Sequence, residues 1–262
     1  MLKKFIKEAL YRLYEVRLER QIAREPIPKH VGLILDGNRR YGKQIGIVQA
    51  EQIYRLGAEK LDEVLDWSVA LEIPAITLWV FSTDNFSRDA DELSGLLKAT
   101  EAKLWQLVEH PQIHKHQVNV RAVGRLDLLP ESLVAAVRAA EDATRNYTGV
   151  QLTLAAAYGG REEITDAVRA FLKDGFAASR SAEQIISDLT PEAIGRYMYS
   201  AHLPDPDLII RPSGEIRLSG FMLWQSVHSE FYFTDVFWPA FRRLDFYRAV
   251  RAYQQRNRRF GQ

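Results

Sequence analysis

The hydrophobic residues of this chain form five short runs, and longer stretches with helical spacing separate them. The runs cover residues 31–35, 75–81, 118–123, 150–157 and 207–211. Continuous apolar runs of this length are typical of strands that are buried on both faces. The longer stretches predict helices at residues 51–71, 90–109, 131–145, 162–172 and 246–258. This alternation predicts an α/β fold with a mostly parallel central sheet flanked by helices.

Residues 1–25 predict an amphipathic N-terminal helix that ends before the two prolines of "REPIPKH". Its apolar residues recur at helical spacing, and lysines and arginines occupy the remaining surface. We expect this helix to pack on its own domain or on a second subunit; peripheral contact with a membrane surface is the alternative. The segment "KDGFAASRSAEQ", residues 173–184, is expected to be a flexible surface segment.

The composition fits one large domain, residues 1–262, with a core: 47% of the residues are hydrophobic. Lys plus Arg total 35 and Asp plus Glu total 34, so the net charge of +1 gives no overall attraction to nucleic acid. The absence of cysteine excludes disulfides, thiolate zinc sites and cysteine nucleophiles. No signal peptide and no spanning helix are predicted, and we expect a cytoplasmic protein.

Chemically active residues follow the predicted strands. The first strand is followed by "DGNRR", the second by "STDNFSR", the fourth by "YGGRE" and the fifth by "PSGEIRLSG". Ligands of parallel sheets bind outside the carboxyl ends of the strands. The sequence therefore predicts a ligand site at this edge of the sheet.

The residue types at the strand ends point to phosphate chemistry. Gly37 and Asn38 permit a tight turn before a helix. Guanidinium groups recognise phosphate oxygens, and five arginines are available, enough for two diphosphates: Arg39, Arg40, Arg88, Arg211 and Arg217. A carboxylate among these cations, Asp36, makes sense as a ligand of Mg²⁺ that also binds the diphosphate. Glu215 and Glu230 are further candidate ligands.

Each feature also has a purely structural interpretation. "DG" after a strand is usually a turn, a single arginine is more often part of a surface ion pair, and Asn85 could cap a helix. The aromatic residues near these motifs would ordinarily belong to the core. Their joint occurrence at several strand ends favours the binding interpretation.

Five ordered blocks of residues 30–261 resemble the signature motifs of the cis-prenyltransferases, the undecaprenyl diphosphate synthase family. The blocks are "HVGLILDGNRR", "TLWVFSTDNFSR", "AAAYGGREEI", "DPDLIIRPSGEIRLSGFMLWQS" and "SEFYFTDVFWPAF". The chain most resembles the short-chain (2Z,6E)-farnesyl diphosphate synthases. The resemblance implies condensation of isopentenyl diphosphate with an allylic diphosphate, here geranyl diphosphate, and a hydrophobic tunnel between sheet and helices.

The resemblance also assigns roles to particular residues. It implies that Asp36 and Glu230 bind Mg²⁺, and that Ser82 and Asn85 act with Asp36 near the reacting centre. The allylic diphosphate would be held by Gly37, Asn38, Arg39 and Arg40, and Tyr41 and Arg88 are further predicted substrate-binding residues. Isopentenyl diphosphate would be bound by Arg211, Arg217 and Ser219. The proton acceptor stays open between the diphosphate of isopentenyl diphosphate and a relay through Asn85 and Ser82.

This chain departs from the family pattern at two positions. Tyr54 stands where the family has a histidine, and Gln49 stands where an arginine is expected. A histidine role in proton transfer or diphosphate release therefore does not carry over. Arg39, where long-chain enzymes have glycine, could compensate for the lost charge.

Product length and assembly follow from two further matches. Val80 occupies the position of a small alanine that faces the tunnel in long-chain members, which predicts an early stop; Trp79 and Phe81 should face the opposite side of the strand. Leu97 or Leu104 on the following helix is the alternative residue that would stop chain growth.

Arg259 and Gly261 match the C-terminal tail that, in the family, completes the site of the other subunit, so a homodimer is expected.

Two other classes of enzyme do not fit the motifs. A phosphatase with an aspartate nucleophile needs a second aspartate two residues away, and "DGN" has an asparagine there. Trans-prenyltransferases need DDxxD, which is absent. The remaining alternatives are a medium- or long-chain polyprenyl diphosphate synthase and a non-catalytic subunit of a cis-prenyltransferase.

Overall fold

The computed structural model describes residues 14–257 and contains the predicted α/β sheet. Within these residues, six parallel strands have the order β3-β4-β2-β1-β5-β6. They are β1 His30–Ile34, β2 Ala75–Trp79, β3 Asn119–Val123, β4 Gln151–Ala155, β5 Leu208–Arg211 and β6 Glu230–Phe233. The prediction of a mostly parallel sheet flanked by helices is confirmed.

Ten α-helices lie in the described part of the chain. Residues 14–22 form α1. The others are α2 Asn38–Gln44, α3 Ala50–Ala70, α4 Ala90–Glu109, α5 Pro111–Lys115, α6 Glu131–Thr144, α7 Gly160–Ala177, α8 Ala182–Ser187, α9 Pro191–Gly195 and α10 Arg243–Asn257. Three short 3₁₀ helices are η1 Thr83–Ser87, η2 Leu126–Leu128 and η3 Trp238–Ala240. No helix within residues 14–257 is long and apolar enough to cross a membrane.

The central strands are buried on both faces, as their continuous apolar runs predict. Leu33 and Leu78 belong to the large core beneath α3, α4, α6 and α10, whereas Ile34 and Trp79 belong to a smaller cluster on the other face. This division follows from the alternation of side chains along a strand. The sheet thus separates two cores and leaves its carboxyl edge for a site.

Three predictions about local structure were wrong. The second strand ends at Trp79 instead of residue 81, so alternation stops there, and Phe81 packs in the same core as Val80. Strand β6 was missed because it is an edge strand whose residues are only half-buried. The segment 173–184 lies at the surface as expected, but it is largely helical, because α7 continues to Ala177 and a capping box at Ser181 starts α8.

The strand order places a crevice between β1 and β5. The chain leaves β1 towards β2 on one side and leaves β5 towards β6 on the other side. In doubly wound sheets such a reversal opens a crevice at the carboxyl ends of the two strands, where ligands bind. The motifs after residues 34 and 211 meet in this crevice.

Candidate active site

Asp36 lies in the crevice, two residues after β1 ends. Its Oδ2 accepts hydrogen bonds from Nη2 of Arg211 at 2.8 Å and from Oγ of Ser213 at 2.8 Å. Its Oδ1 accepts from Nη2 of Arg40 at 3.2 Å. One carboxylate therefore joins the β1 end, the first turn of α2 and the loop after β5.

These contacts keep the carboxyl group of Asp36 ionised. Burial by itself would raise its pKa, but the hydrogen bonds from Arg211 and Ser213 and the charges of Arg211 and Arg40 outweigh burial and lower the pKa below its ordinary value. The site therefore presents a carboxylate among guanidinium groups, as the sequence predicts.

Arg211, at the end of β5, is the most deeply buried of the predicted arginines, with 5% of its surface exposed. Besides Asp36, it donates to Oγ of Ser219 at 2.8 Å and to the carbonyl oxygen of Arg217. The buried guanidinium thus fixes the loop that carries the two other residues predicted to bind isopentenyl diphosphate.

The rim of the site carries more exposed charge. Nη1 of Arg40 lies 3.3 Å from Oε1 of Glu215, whose other oxygen accepts from the exposed Arg217. Arg40 also lies over the ring of Phe237, 5.4 Å from its centroid. Exposed pairs of this kind contribute little to stability, so these arginines can exchange their partners for a phosphate at small cost.

The turn between Asp36 and α2 requires glycine. Gly37 has a φ of 98°, and a Cβ there would lie 2.7 Å from Cδ1 of Phe237. The next residue, Asn38, turns its side chain inward, where Nδ2 donates to the carbonyl of Leu35 at 2.9 Å. Its buried Oδ1 has no hydrogen-bond partner among the described residues. An unpaired buried oxygen at the mouth of a cavity is available to a ligand.

A second polar cluster joins Arg39 on α2, Tyr54 on α3, Arg88 at the end of η1 and Glu92 on α4. Nη1 of Arg88 donates to the hydroxyl of Tyr54 and to Oε1 of Glu92, both at 2.8 Å, and Tyr54 donates to the same oxygen at 2.9 Å. Nη1 of Arg39 lies 3.2 Å from Oε2 of Glu92. Tyr54, where the sequence resemblance predicts a histidine, therefore orients Arg88. Burial, with Glu92 nearby, raises the pKa of Tyr54 to about 12.

Ser82 and Asn85 lie in the connection after β2. Oδ1 of Asn85 accepts from the backbone nitrogen of Ser82 at 2.9 Å, which completes a capping box at η1. The structural interpretation of Asn85 as a cap is thus present in the molecule. Both residues also line the polar cavity, so capping fixes their position at the site.

The predicted residues surround a cavity of about 590 Å³. Twelve of them line it, together with the candidate metal ligand Glu215: Asp36, Gly37, Asn38, Arg39, Arg40, Val80, Ser82, Asn85, Arg88, Arg211, Arg217 and Ser219. At its inner end lies a narrow apolar cavity of about 50 Å³ between the sheet, α3 and α4. The two share Leu35, Asn38, Tyr54, Val80 and Leu96.

Two predicted site residues lie elsewhere. Tyr41 does not line the polar cavity, whereas Lys43 does. Successive helical residues are about 100° apart, so Tyr41 lies on another side of α2 than Arg40.

Glu230 begins β6 and pairs with Leu208 at the amino end of β5. It therefore lies at the opposite edge of the sheet, where it binds Arg256 at 2.7 Å. Within one chain Glu230 is not a metal ligand of this site.

The donor set at Asp36 fits Mg²⁺ with a bound diphosphate. The described residues contain no group of three or more His, Cys, Asp or Glu that could hold a metal ion by itself. Mg²⁺ is ordinarily held by one or two carboxylates together with substrate phosphates. Asp36 and Glu215, which both form ion pairs with Arg40, match that arrangement.

Sequence reasoning missed residues that support the loop after β5. Ser213 binds Asp36 directly. The hydroxyl of Tyr158 accepts from the backbone nitrogen of Met222 at 3.2 Å and donates to the fully buried Glu163. Burial raises the pKa of Glu163 above its ordinary value, although the hydrogen bonds from Tyr158 and Gln225 act to lower it. The glutamate inside the "YGGREE" block was the sequence feature that could have pointed to this supporting role of Glu163.

The N-terminal residues 1–13 and the tail residues Arg259 and Gly261 lie outside the described residues. The predicted membrane or packing role of the amphipathic face at residues 2–13 and the contact of the tail with a second subunit therefore stay predictions.

A parallel sheet with an arginine-lined site that opens towards an apolar cavity defines an α/β enzyme for diphosphates with hydrocarbon tails. Residues 34–261 match the Prenyltransf family model of undecaprenyl diphosphate synthase. The chain belongs to this family, the cis-prenyltransferases.

Several curated proteins are similar over nearly the whole chain. The isoprenyl transferase of Deinococcus radiodurans is 51% identical over 95% of this chain and 90% of its own length. The (2Z,6E)-farnesyl diphosphate synthase of Thermobifida fusca is 46% identical, over 96% of this chain and 97% of its own. The tritrans,polycis-undecaprenyl-diphosphate synthase (geranylgeranyl-diphosphate specific) of Thermoplasma acidophilum is 42% identical, with 95% of both chains covered.

A solved structure shares the fold. Lavandulyl diphosphate synthase from Lavandula x intermedia, in complex with dimethylallyl diphosphate, has a TM-score of 0.79 and 30% identity over 87% of this chain and 95% of that chain. Together with the family match, these similarities support a cis-prenyl diphosphate synthase. The names of the relatives span short and long products, so they leave the chain length open.

Proposed function

We propose that this protein is a Mg²⁺-dependent synthase that joins isopentenyl diphosphate to geranyl diphosphate and releases (2Z,6E)-farnesyl diphosphate. One observation carries the proposal: arginines from two sides meet at Asp36 in a polar cavity that leads into an apolar one. A ligand with a diphosphate head and a short hydrocarbon tail matches both parts.

The arginines divide into two groups, one for each substrate. Arg39 and Arg40, on α2, lie beside Asn38 at the entrance of the apolar cavity and suit the allylic diphosphate. Arg211, Arg217 and Ser219 lie on the loop after β5 and suit isopentenyl diphosphate. Because Asp36 contacts both Arg40 and Arg211, the two diphosphates would lie on either side of one carboxylate.

The reaction forms a carbon–carbon bond between C4 of isopentenyl diphosphate and C1 of the allylic substrate, and it breaks the bond from C1 to the diphosphate. Arg39 and Arg40 stabilise the charge that develops on the departing diphosphate. When Mg²⁺ is bound by Asp36 and diphosphate oxygens, it adds positive charge for the same leaving group. Loss of a proton from C2 of the isopentenyl unit then gives the cis double bond.

Two acceptors for that proton remain in the proposal. One is the diphosphate of isopentenyl diphosphate, held by Arg211. The other is a relay through Ser82 and Asn85, which line the cavity. Oδ1 of Asn85 already accepts a hydrogen bond from the backbone nitrogen of Ser82. In such a relay, the amide nitrogen of Asn85 would therefore orient a substrate phosphate, and the hydroxyl of Ser82 would move the proton.

The test is an assay with purified protein, isopentenyl diphosphate and, separately, dimethylallyl, geranyl or farnesyl diphosphate. We expect fifteen-carbon product from geranyl diphosphate after dephosphorylation and chromatography. Chains beyond twenty carbons would instead identify a medium- or long-chain synthase, as the name of the Thermoplasma relative would suggest. Absence of product with all three would favour a non-catalytic subunit.

The same proposal includes a cytoplasmic homodimer in which the tail of one subunit, with Arg259 and Gly261, completes the site of the other. The resemblance to the family's tail motif supports it. The tail would bring a further cation to a site whose exposed arginines are already arranged around diphosphate.

A further inference from the structure

The narrow apolar cavity ends against a buried charge. Among the described residues that line it, Lys103 on α4 is the one that carries a charge, and only 6% of its surface is exposed. Its Nζ lies 2.6 Å from both carboxylate oxygens of Asp62 on α3 and 3.0 Å from Oε1 of Gln106. An ion pair thus bridges the two helices that form the cavity wall.

The ion pair lies at the end of the cavity farther from the diphosphate site. Tyr54 on α3 contacts Glu92 near the start of α4, and Asp62 contacts Lys103 further along both helices. The two helices therefore run side by side in the same direction, away from the polar cavity. Lys103 follows the shared lining residue Leu96 by seven residues, which is about 10 Å along a helix.

The pair resists displacement by a hydrocarbon. All three hydrogen atoms of the Nζ group have acceptors in this arrangement. A growing hydrocarbon chain that passed between the helices would have to separate Lys103 from Asp62. It has no polar group that could replace the carboxylate as a partner of Lys103. Removing the partner of a buried charge is strongly unfavourable, whereas burial of an apolar chain beside an intact pair is favourable.

We propose that the Lys103–Asp62 ion pair is the floor that limits the length of the allylic chain in this enzyme. The inference rests on the proposed function. A carbon–carbon bond is about 1.5 Å long, so one extended isoprene unit measures about 5 Å, and two units fill the 10 Å between Leu96 and Lys103. Geranyl diphosphate then fits, and the fifteen-carbon product does not fit again as the allylic substrate.

Val80 and the ion pair restrict different dimensions of the cavity. Val80 lies where the two cavities meet and narrows the passage. Lys103 limits its depth. Lys103 is therefore a specificity-determining residue, distinct from the bulky residues Leu97 and Leu104 expected from the sequence; Leu104 lines the cavity and Leu97 does not.

The experiment compares four proteins under geranyl diphosphate and excess labelled isopentenyl diphosphate: wild type, Lys103→Ala, Lys103→Met and Lys98→Ala. Lys98 is an exposed lysine on the same helix and serves as the matched control. Lys103→Met removes the charge but keeps the length of the side chain, and thermal unfolding of each variant verifies the fold. We expect the share of product longer than fifteen carbons to rise about tenfold in both Lys103 variants, which is the usual size of the effect when the volume of a hydrophobic substrate pocket changes.

Each outcome decides one point. Longer chains in both Lys103 variants, with Lys98→Ala like wild type, support the charged floor. Longer chains in Lys103→Ala alone would overturn the role of charge, because only bulk would then matter. An unchanged fifteen-carbon product in folded Lys103→Ala and Lys103→Met would overturn the inference and leave the proposed function intact, whereas the absence of any product from wild type would contradict the proposed function itself.

Discussion

Gly57 on α3 lies directly against the side chain of Asn38, so closely that a Cβ on Gly57 would be 2.2 Å from the buried Oδ1 of Asn38. The same glycine accepts a hydrogen bond from Nε1 of Trp238 at 2.7 Å through its carbonyl oxygen. A residue without a side chain at this point of α3 therefore lets Asn38 reach the entrance of the apolar cavity.

We expect Gly57→Ala to displace Asn38 and to lower activity. The extra methyl group overpacks a filled site, which costs about 1–3 kcal/mol of the free energy of unfolding. Denaturant unfolding and steady-state kinetics measure the two effects. Gly195→Ala is the control, because a Cβ there has its nearest contact at 3.8 Å, from Nε1 of Trp224. Equal kinetics for Gly57→Ala and wild type would show that Asn38 takes no part in binding.

Asp36→Ala should abolish turnover, because the carboxylate would serve the metal and the diphosphates instead of the core. Asp36→Asn keeps the shape and an oxygen acceptor for Arg211, and we expect its kcat to fall about 10²–10³-fold. Circular dichroism checks that both variants fold. Excess chelator should stop the wild-type reaction in the same way, and added Mg²⁺ should restore it; full activity with chelator present would remove Mg²⁺ from the mechanism.

Val80→Ala should lengthen the product. The valine lies at the junction of the two cavities, and removal of two methyl groups widens a passage that close packing otherwise keeps narrow. With excess isopentenyl diphosphate, chromatography of the dephosphorylated products should show chains beyond fifteen carbons. If the distribution equals that of wild type, Val80 does not control length.

The stability of the fold should decrease as the pH falls from about 6.5 to about 4. His30 is fully buried, with Nδ1 donating to the carbonyl of Pro204 at 2.6 Å and Nε2 accepting from the hydroxyl of Thr77 at 2.8 Å. Burial lowers the pKa of His30 to about 4. The neutral ring is favoured in the folded state, so stability is fully present above the unfolded pKa of about 6.5 and is lost as the pH falls towards the folded value.

The loss amounts to about 3 kcal/mol, at 1.36 kcal/mol for each pKa unit. Urea unfolding of wild type and His30→Gln between pH 7 and pH 4 measures it. Because Glu163 and other groups titrate in both proteins, the difference between the two pH slopes isolates His30. Parallel slopes would show that this ring does not titrate differently on unfolding.

Deletion of the last four residues, 259–262, should lower kcat strongly and leave the dimer intact. The prediction follows from the match of Arg259 and Gly261 to the family tail. Size-exclusion chromatography with light scattering reports the oligomeric state, and kinetics report the activity. A truncated enzyme with full activity would rule out completion of the site by the tail.

The sequence by itself determined five of the six described strands, the longer helices and the edge of the sheet at which the site lies. Parallel strands are marked by continuous apolar runs, and ligands of such sheets bind at the carboxyl ends, so the positions of Asp36 and Arg211 could be predicted one by one. The chemistry of arginine and carboxylate then indicated diphosphates and Mg²⁺.

Only the tertiary structure decided which of these residues meet. Glu230 carries the same type of group as Asp36, but the register of β6 places it at the other edge of the sheet. Tyr41 neighbours Arg40 in sequence and is rotated away from it by one step of the helix. Asp62 and Lys103 are 41 residues apart, and no periodic pattern predicts their pairing. Contacts between distant segments depend on how whole elements pack, and a one-dimensional pattern reports only the face of each element that is buried.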